Sequence, residues 1–172
     1  MRAEIVPLKD LAGRGGILCH GTFDLLHVGH LRYLAWAARL RPELPLIATL
    51  TADAHFSPAK GLAPAFPQDV RAEWLSHIEC VDFVAIVDEP TGLLAIHTIR
   101  PYLYVKGKEA EGTIQIEEEA VRRYGGQIYY MDEGLAGDGK QIYSSGRILD
   151  GHFSRRKPAR PRGVGEGDYG VE

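Results

Sequence analysis

Short apolar runs alternate with amphipathic stretches along most of this chain, and each change of period marks an element. Ile17-Leu18-Cys19 is a compact apolar run that breaks at Gly21, after which Leu31, Leu34 and Ala38 recur at helical spacing. The pattern predicts a strand entering a helix that runs to about Leu40, where Pro42 and Pro45 stop it. Leu46 to Leu50 is a second, mainly apolar run with a β-branched centre, as expected for a strand covered on both faces of a parallel sheet. From Gln68 a helix places Val70, Trp74, Leu75 and Ile78 on one face, and Val81 to Val87 reads as a third strand. Pro90-Thr91 opens a helix with Leu93, Leu94, Ile96 and Ile99 inside, closed by Pro101. Tyr102 to Val105 is the fourth strand, Ile114 to Tyr124 an acidic helix ending at Gly125-Gly126, and Gln127 to Met131 the fifth strand.

Strands alternating with helices call for right-handed crossovers and therefore a doubly wound α/β domain, a five-stranded parallel sheet with helices on both faces. In such sheets ligands bind beyond the carboxyl ends of the strands. The unusual stretches of this sequence fall there: the turn after the first strand, the loop from His55 to Pro67 after the second, and Lys106-Gly107 after the fourth. That loop holds three prolines and one glycine, so it is irregular, and a loop of its length in a compact domain is usually functional. Residues Met1 to Gly15 read as a surface lead-in with a weak helical pattern at Leu8, Leu11 and Ala12.

With 172 residues the chain has room for one domain, and a 45% hydrophobic fraction supplies its core. The domain is expected over residues 1–153. From Ser154 to Arg162 the chain turns basic and proline-rich, then glycine-rich, and residues 154–172 are expected to be a disordered tail because they bury too little apolar surface. A net charge of −3 argues against a general nucleic-acid binder. Cys19 and Cys80 are the only cysteines, placed in or beside strands, so free thiols are expected and a reducing cytoplasm fits them. Met1 to Pro7 lacks a signal-peptide core and no apolar run approaches the roughly 18 residues of a membrane helix, which points to a soluble cytoplasmic protein with no membrane partner.

The candidate chemistry is concentrated at the first turn. His27 and His30 lie three apart around Val28-Gly29, so both imidazoles share one side of a helical first turn, and Gly29 lets a bulky ligand approach the backbone. Unpaired amides at a helix N-terminus favour anions, and two imidazoles add donors. A phosphate chain suits this combination. Near the other end of the chain, Ser144 and Ser145 precede Ile148-Leu149, which reads either as an ordinary N-cap or as a second phosphate-holding helix start, with Arg147 adding charge.

The run from Gly21 to His30, GTFDLLHVGH, resembles the signature of the cytidylyltransferase-like nucleotidyltransferases, whose hallmark is a His-x-Gly-His turn. The likeness extends over about Ile5 to Phe153. It is greatest to the sugar-phosphate branch, which includes the nucleotidyltransferase domain of ADP-heptose synthesis and glycerol-3-phosphate cytidylyltransferase. Thr51-Ala52-Asp53, Lys60-Gly61, Arg71, Glu79-Cys80-Val81-Asp82, Val105-Lys106-Gly107, Glu117-Glu118-Glu119-Ala120 and Ser144-Ser145 carry that closer match.

The resemblance implies a Rossmann-like nucleotidyltransferase fold and an enzyme in which a substrate phosphate or phosphonate oxygen attacks the α-phosphorus of a nucleoside triphosphate and releases pyrophosphate. It implies catalytic roles for His27, His30, Lys60 and Arg71. Gly21, Thr22, Phe23, Gly29, Lys106, Gly107, Ser144 and Ser145 would bind the nucleotide, and Asp24, Lys60 and Arg71 the acceptor. Mg2+ is the expected cofactor, held mainly by phosphates with no dedicated protein ligands. The expected partners are a nucleoside triphosphate, a phosphorylated sugar, polyol or similar molecule made by a separate kinase, and a second copy of the chain in a homodimer. ATP is the preferred donor by likeness to the heptose branch, CTP the alternative; a non-catalytic nucleotide-binding module is the reading from another class. The chain departs from the family at Lys60-Gly61-Leu62-Ala63-Pro64, where Gly-Pro often follows the lysine, at Lys108-Glu109-Ala110, and at Gly146, where a third hydroxyl is expected.

Overall fold

The structure, a computed structural model, describes residues 2–56 and 64–132. Their strands form one six-stranded parallel sheet. These are β1 (Glu4–Ile5), β2 (Ile17–Gly21), β3 (Leu46–Thr51), β4 (Phe83–Val87), β5 (Leu103–Gly107) and β6 (Gln127–Met131), in the order β1-β4-β3-β2-β5-β6. The helices are α1 (Val28–Leu40), α2 (Gln68–Ser76), α3 (Leu93–Ile99) and α4 (Gln115–Arg123). Strand β2 is flanked by β3 on one side and β5 on the other, with Ile17 opposite Leu46 and Leu103. The winding reverses at β2, so its carboxyl end is the switch point where such sheets bind ligands.

Strand alternation divides the interior into two cores. Ile17, Cys19, Ala48, Leu50, Val84, Leu103 and Val105 face Leu34 and Ala37 of α1 and Ala72 and Leu75 of α2. Leu18, Ile47, Ala85, Val87 and Tyr104 face Ala95, Ile96 and Ile99 of α3 and Ala120 and Val121 of α4. Both sheet faces are covered, which is why β3 carries no polar alternation. Entry into β2 depends on Gly16, at φ +92°, where a Cβ would lie 2.7 Å from the Pro45 carbonyl oxygen.

The sheet has one strand more than the sequence pattern predicts. Glu4–Ile5 pairs with Phe83 and Val84 of β4 as a two-residue edge strand, and both residues are exposed, so it carries no alternation to read. The lead-in continues as a 3-10 turn, Leu8–Leu11, that buries Leu11. Helix α2 also buries a different face from the one read from spacing: Ala72, Leu75, Ser76 and the guanidinium-bearing Arg71 are inside. The fourth predicted strand extends to Gly107 as β5, which brings Lys106 into the sheet. Cys19 and Cys80 are free, the first buried. Among the described residues no helix is long and apolar enough to cross a membrane.

Candidate active site

The chain leaves β2 at Gly21 and turns sharply through Thr22 to Leu26 before α1 begins. Phe23 takes a left-handed conformation, φ 47°, which an aromatic residue adopts only where its surroundings hold it there. Its ring is buried and sits 5.2 Å from that of His30. His27 is the extended residue before the helix and no side chain caps this end; its carbonyl accepts from the His30 and Leu31 amides, so a ligand meets the helix at the amides ahead of them. The two imidazoles stack with centroids 3.8 Å apart, and the Nδ1 atoms of both are buried without a hydrogen-bond partner among the described residues.

Burial sets the protonation of this pair. It lowers His27, and it takes His30 to about 4, with the neighbouring His27 adding to the effect and the Leu25 backbone opposing it. Both rings are therefore neutral at pH 7 in the unliganded protein, each carrying a single ring N–H. An anion drawn into the turn raises these values, so the site gains positive charge as it fills.

One pocket gathers Gly21, Thr22, Phe23, Gly29 and His30 from the β2–α1 turn with Lys106 and Gly107 from β5. Six of these are residues expected at the nucleotide, and His30 is one of those expected to be catalytic. His27 lies on the far side of its stack with His30 and opens onto a separate apolar groove between Val28, Leu31, Phe66 and Trp74. Lys106 is desolvated, which lowers its pKa, while Glu117, Cys19 and Glu109 act against that shift; its ammonium donates to the His20 carbonyl oxygen at 3.1 Å. That bond ties β5 to the last residue of β2 before Gly21.

Asp24 and Arg71 are bound into the protein. Asp24 is buried and accepts from the Phe66 amide at 3.2 Å. Arg71 has no exposed surface; Nε donates to the Phe66 carbonyl at 3.0 Å, Nη1 to the Thr22 carbonyl at 2.6 Å, and Nη2 to the Thr51 carbonyl at 3.0 Å and to Asp53 Oδ1 at 2.6 Å. Asp53 and Gln68 complete the joint by exchanging backbone-to-side-chain bonds of 2.9 and 3.1 Å. The histidine turn, the end of β3 and the start of α2 are thus clasped around one guanidinium. Lys60, Ser144 and Ser145 lie outside the described residues.

Spacing alone missed His20, Tyr33 and Met131, which line the pocket together with Glu109. Tyr33 was legible in principle, one helical turn beyond His30; its hydroxyl donates to the Val105 carbonyl and so braces α1 on β5. His20 lies on the opposite sheet face from Cys19, with Nδ1 3.0 Å from Thr49 Oγ1 and Nε2 3.5 Å from Thr51 Oγ1. Burial first, then the Lys106 charge, pushes it down to about 3, so it is a neutral wedge between strands. The Cys19 thiol is pushed up to about 12 by burial and is not a thiolate nucleophile. What remains is a pocket built to bind and orient a ligand rather than to attack it.

Comparison with known proteins identifies the family. Residues 18–131 match the cytidylyltransferase-like family. The bifunctional protein HldE of Geotalea uraniireducens (strain Rf4) is 39% identical over 127 residues, covering 73% of this chain and 26% of the relative. That of Syntrophotalea carbinolica (strain DSM 2380 / NBRC 103641 / GraBd1) is 35% identical over 130 residues, covering 75% and 26%. The chain thus spans about a quarter of the length of these relatives. Among solved structures, the lipopolysaccharide core biosynthesis protein from Thermoplasma volcanium GSS1 superposes with a TM-score of 0.55 at 20% identity, covering 66% of this chain and 91% of that one, a likeness of fold. The matched residues begin inside β2, include the stacked histidines and end at the last residue of β6: the chain belongs to the cytidylyltransferase-like family of nucleotidyltransferases.

Proposed function

We propose that this chain transfers the nucleotidyl group of a nucleoside triphosphate to a phosphorylated sugar, polyol or similar small molecule. The observation that carries the reading is the stacked His27–His30 pair, neutral and with unpartnered Nδ1 atoms, at the uncapped start of α1 and at the switch point of the sheet. An acceptor phosphate oxygen forms a bond to the α-phosphorus, the bond from that phosphorus to the bridging oxygen breaks, and the electron pair leaves with pyrophosphate. Such a transfer asks the protein for in-line positioning and for charge compensation on the phosphoryl oxygens. His30 and the α1 amides supply the second, and the Arg71 clasp keeps the turn that carries them in register with β3.

By the motif match Lys60 compensates charge at the α-phosphate and Ser144 and Ser145 hold the outer phosphates. Magnesium would supply charge neutralisation at the phosphate oxygens. ATP is the donor favoured by the resemblance to the heptose branch and CTP the alternative.

Pyrophosphate release measured with magnesium, each of the four common triphosphates and a panel of sugar and polyol phosphates tests the reading. Turnover is expected with one donor and one acceptor class, and His30→Ala should lower kcat by at least about a hundredfold, the range lost with one charge-stabilising group. Absence of turnover across the whole panel, with nucleotide binding unaffected in His30→Ala, would overturn it.

A further inference from the structure

β2 and β5 stop pairing before either strand ends. Their register runs through Ile17↔Leu103, Leu18↔Tyr104 and Cys19↔Val105 and goes no further. Each strand continues with its other neighbour, β2 with β3 as far as Gly21 opposite Leu50, and β5 with β6 as far as Gly107 opposite Met131. The pocket opens at this parting, with His20 and Gly21 on one bank and Lys106 and Gly107 on the other. Ladder bonds recur at every second residue of a parallel pair. The Leu103 amide donates to the Gly16 carbonyl, so the rungs beyond it would put the Val105 amide on Leu18 and the Gly107 amide on the His20 carbonyl. With no pair beyond Cys19↔Val105, that last bond is not made, and the His20 carbonyl accepts from the Lys106 ammonium at 3.1 Å instead. Tyr33 of α1 donates to the Val105 carbonyl, at the last rung that closes.

The His20 carbonyl thus has two donors within reach of the chain: the Gly107 amide, which would shut the crevice, and the Lys106 ammonium, which leaves it open. A charged donor makes the stronger bond. Its surroundings keep it there. The ammonium lies 5.8 Å from the centroid of the Tyr104 ring, and while burial works against its charge, the Glu117 carboxylate works for it. Glu117 is itself fixed by the Gly92 amide and the Tyr104 hydroxyl. Closing one more rung would bring the strands to about 4.8 Å apart at the pocket floor, which leaves no room for a ligand between them. Resting on the nucleotidyl-transfer reading for what enters, we propose that Lys106 is a positioning residue that holds β2 and β5 apart by occupying the His20 carbonyl. It acts through the backbone rather than on the ligand, and the crevice at the switch point exists because a side chain has taken the place of a ladder bond.

Amide hydrogen exchange of the full chain without ligand, followed residue by residue by NMR, tests this. The Gly107 amide should exchange fast in the wild type. Lys106→Met, which keeps the length of the stem without the donor, should slow it at least about tenfold as the rung closes, while the Val105 amide, one rung earlier, keeps its rate and reports that the fold is intact. Replacing a buried charge by an apolar side chain of similar volume is often neutral for stability, so this variant is expected to fold. Lys106→Arg restores a charged donor and should return the Gly107 rate toward wild type. In calorimetric titration with magnesium, Lys106→Met should weaken whichever of ATP and CTP binds by about tenfold, the weight of one hydrogen bond favouring the closed crevice. A Gly107 amide already protected in the wild type, or one whose exchange is equal in wild type and Lys106→Met, would overturn the proposal, and affinity lost without that change in exchange would mean that Lys106 touches the ligand itself. A wild-type chain that binds neither nucleotide sinks the transfer reading, and the exchange rates still decide whether Lys106 holds the strands apart.

Discussion

Arg71 shows how far a residue's surroundings can redirect the meaning of its type. In the sequence it is a cation near a helix start, and the family resemblance makes it a candidate for direct contact with substrate. In the fold its guanidinium is buried and bonded to three carbonyls and to Asp53. Those acceptors come from residues 22, 51, 53 and 66, separations that no local pattern encodes, whereas His27 and His30 were legible because both belong to one helical turn. Arg71→Met keeps the bulk of the stem and removes every donor, leaving buried carbonyls unsatisfied; unfolding in urea should show a loss of about 3 kcal/mol or more. Arg71→Lys can reach one or two of the acceptors but lacks the planar fork, so it should recover only part of that stability. Equal midpoints for Arg71→Met and wild type would mean that the clasp does not hold these elements together.

Among the elements, α3 has the least obvious beginning. Prolines and alternation made the sheet and the long helices readable, but the start of α3 was expected at Pro90-Thr91 and lies at Leu93. A distant carboxylate decides this: Glu117 of α4 is buried, accepts from the Gly92 amide at 2.7 Å through Oε1, and accepts from the Tyr104 hydroxyl at 2.8 Å through Oε2. Three elements, β5, α3 and α4, meet on that one side chain. Gly92 has ordinary helical angles, φ −78° and ψ 0°, so its glycine is required for space rather than for conformation. A Cβ there would lie 2.5 Å from the Tyr104 hydroxyl oxygen and 3.2 Å from Glu117 Oε1. Gly92→Ala should therefore destabilise by about 1–3 kcal/mol through overpacking. Tyr104→Phe removes the obstructing oxygen, and in that background the alanine should cost measurably less, a coupling that a double-mutant cycle reads directly. Additive effects would mean that the hydroxyl is not what excludes a side chain at position 92.

For the whole molecule, the neutral histidines packed at the carboxyl end of the sheet tie stability to pH. His20 is held at about 3 against an ordinary 6.5, first by burial between Thr49 and Thr51 and then by the Lys106 charge. His30, at about 4, and His27 shift in the same direction. A depressed value means that the unfolded chain binds the proton more readily than the folded one, so stability is complete above pH 6.5 and declines as the pH falls toward the folded values. For His20 the decline is about 1.4 kcal/mol per pH unit below 6.5, or about 2 kcal/mol by pH 5, with His30 adding to it. Glu43 and Glu118, whose carboxylates are lowered by hydrogen bonds, destabilise in the same direction only below their ordinary 4.5, so the interval from 6.5 to 4.5 isolates the histidines. Urea midpoints at pH 7.5, 6.0 and 5.0 should fall steadily, and His20→Asn should remove about 1.4 kcal/mol per pH unit from that slope whatever it does to stability at pH 7.5. A slope unchanged by His20→Asn would show that the ring takes up its proton without leaving the folded state, and that the Thr49–His20–Thr51 wedge is open to water. Nucleotide should oppose the decline, since a triphosphate in the turn favours the protonated form of His30 in the folded protein; the midpoint gain on adding nucleotide should then be larger at pH 6.0 than at pH 7.5.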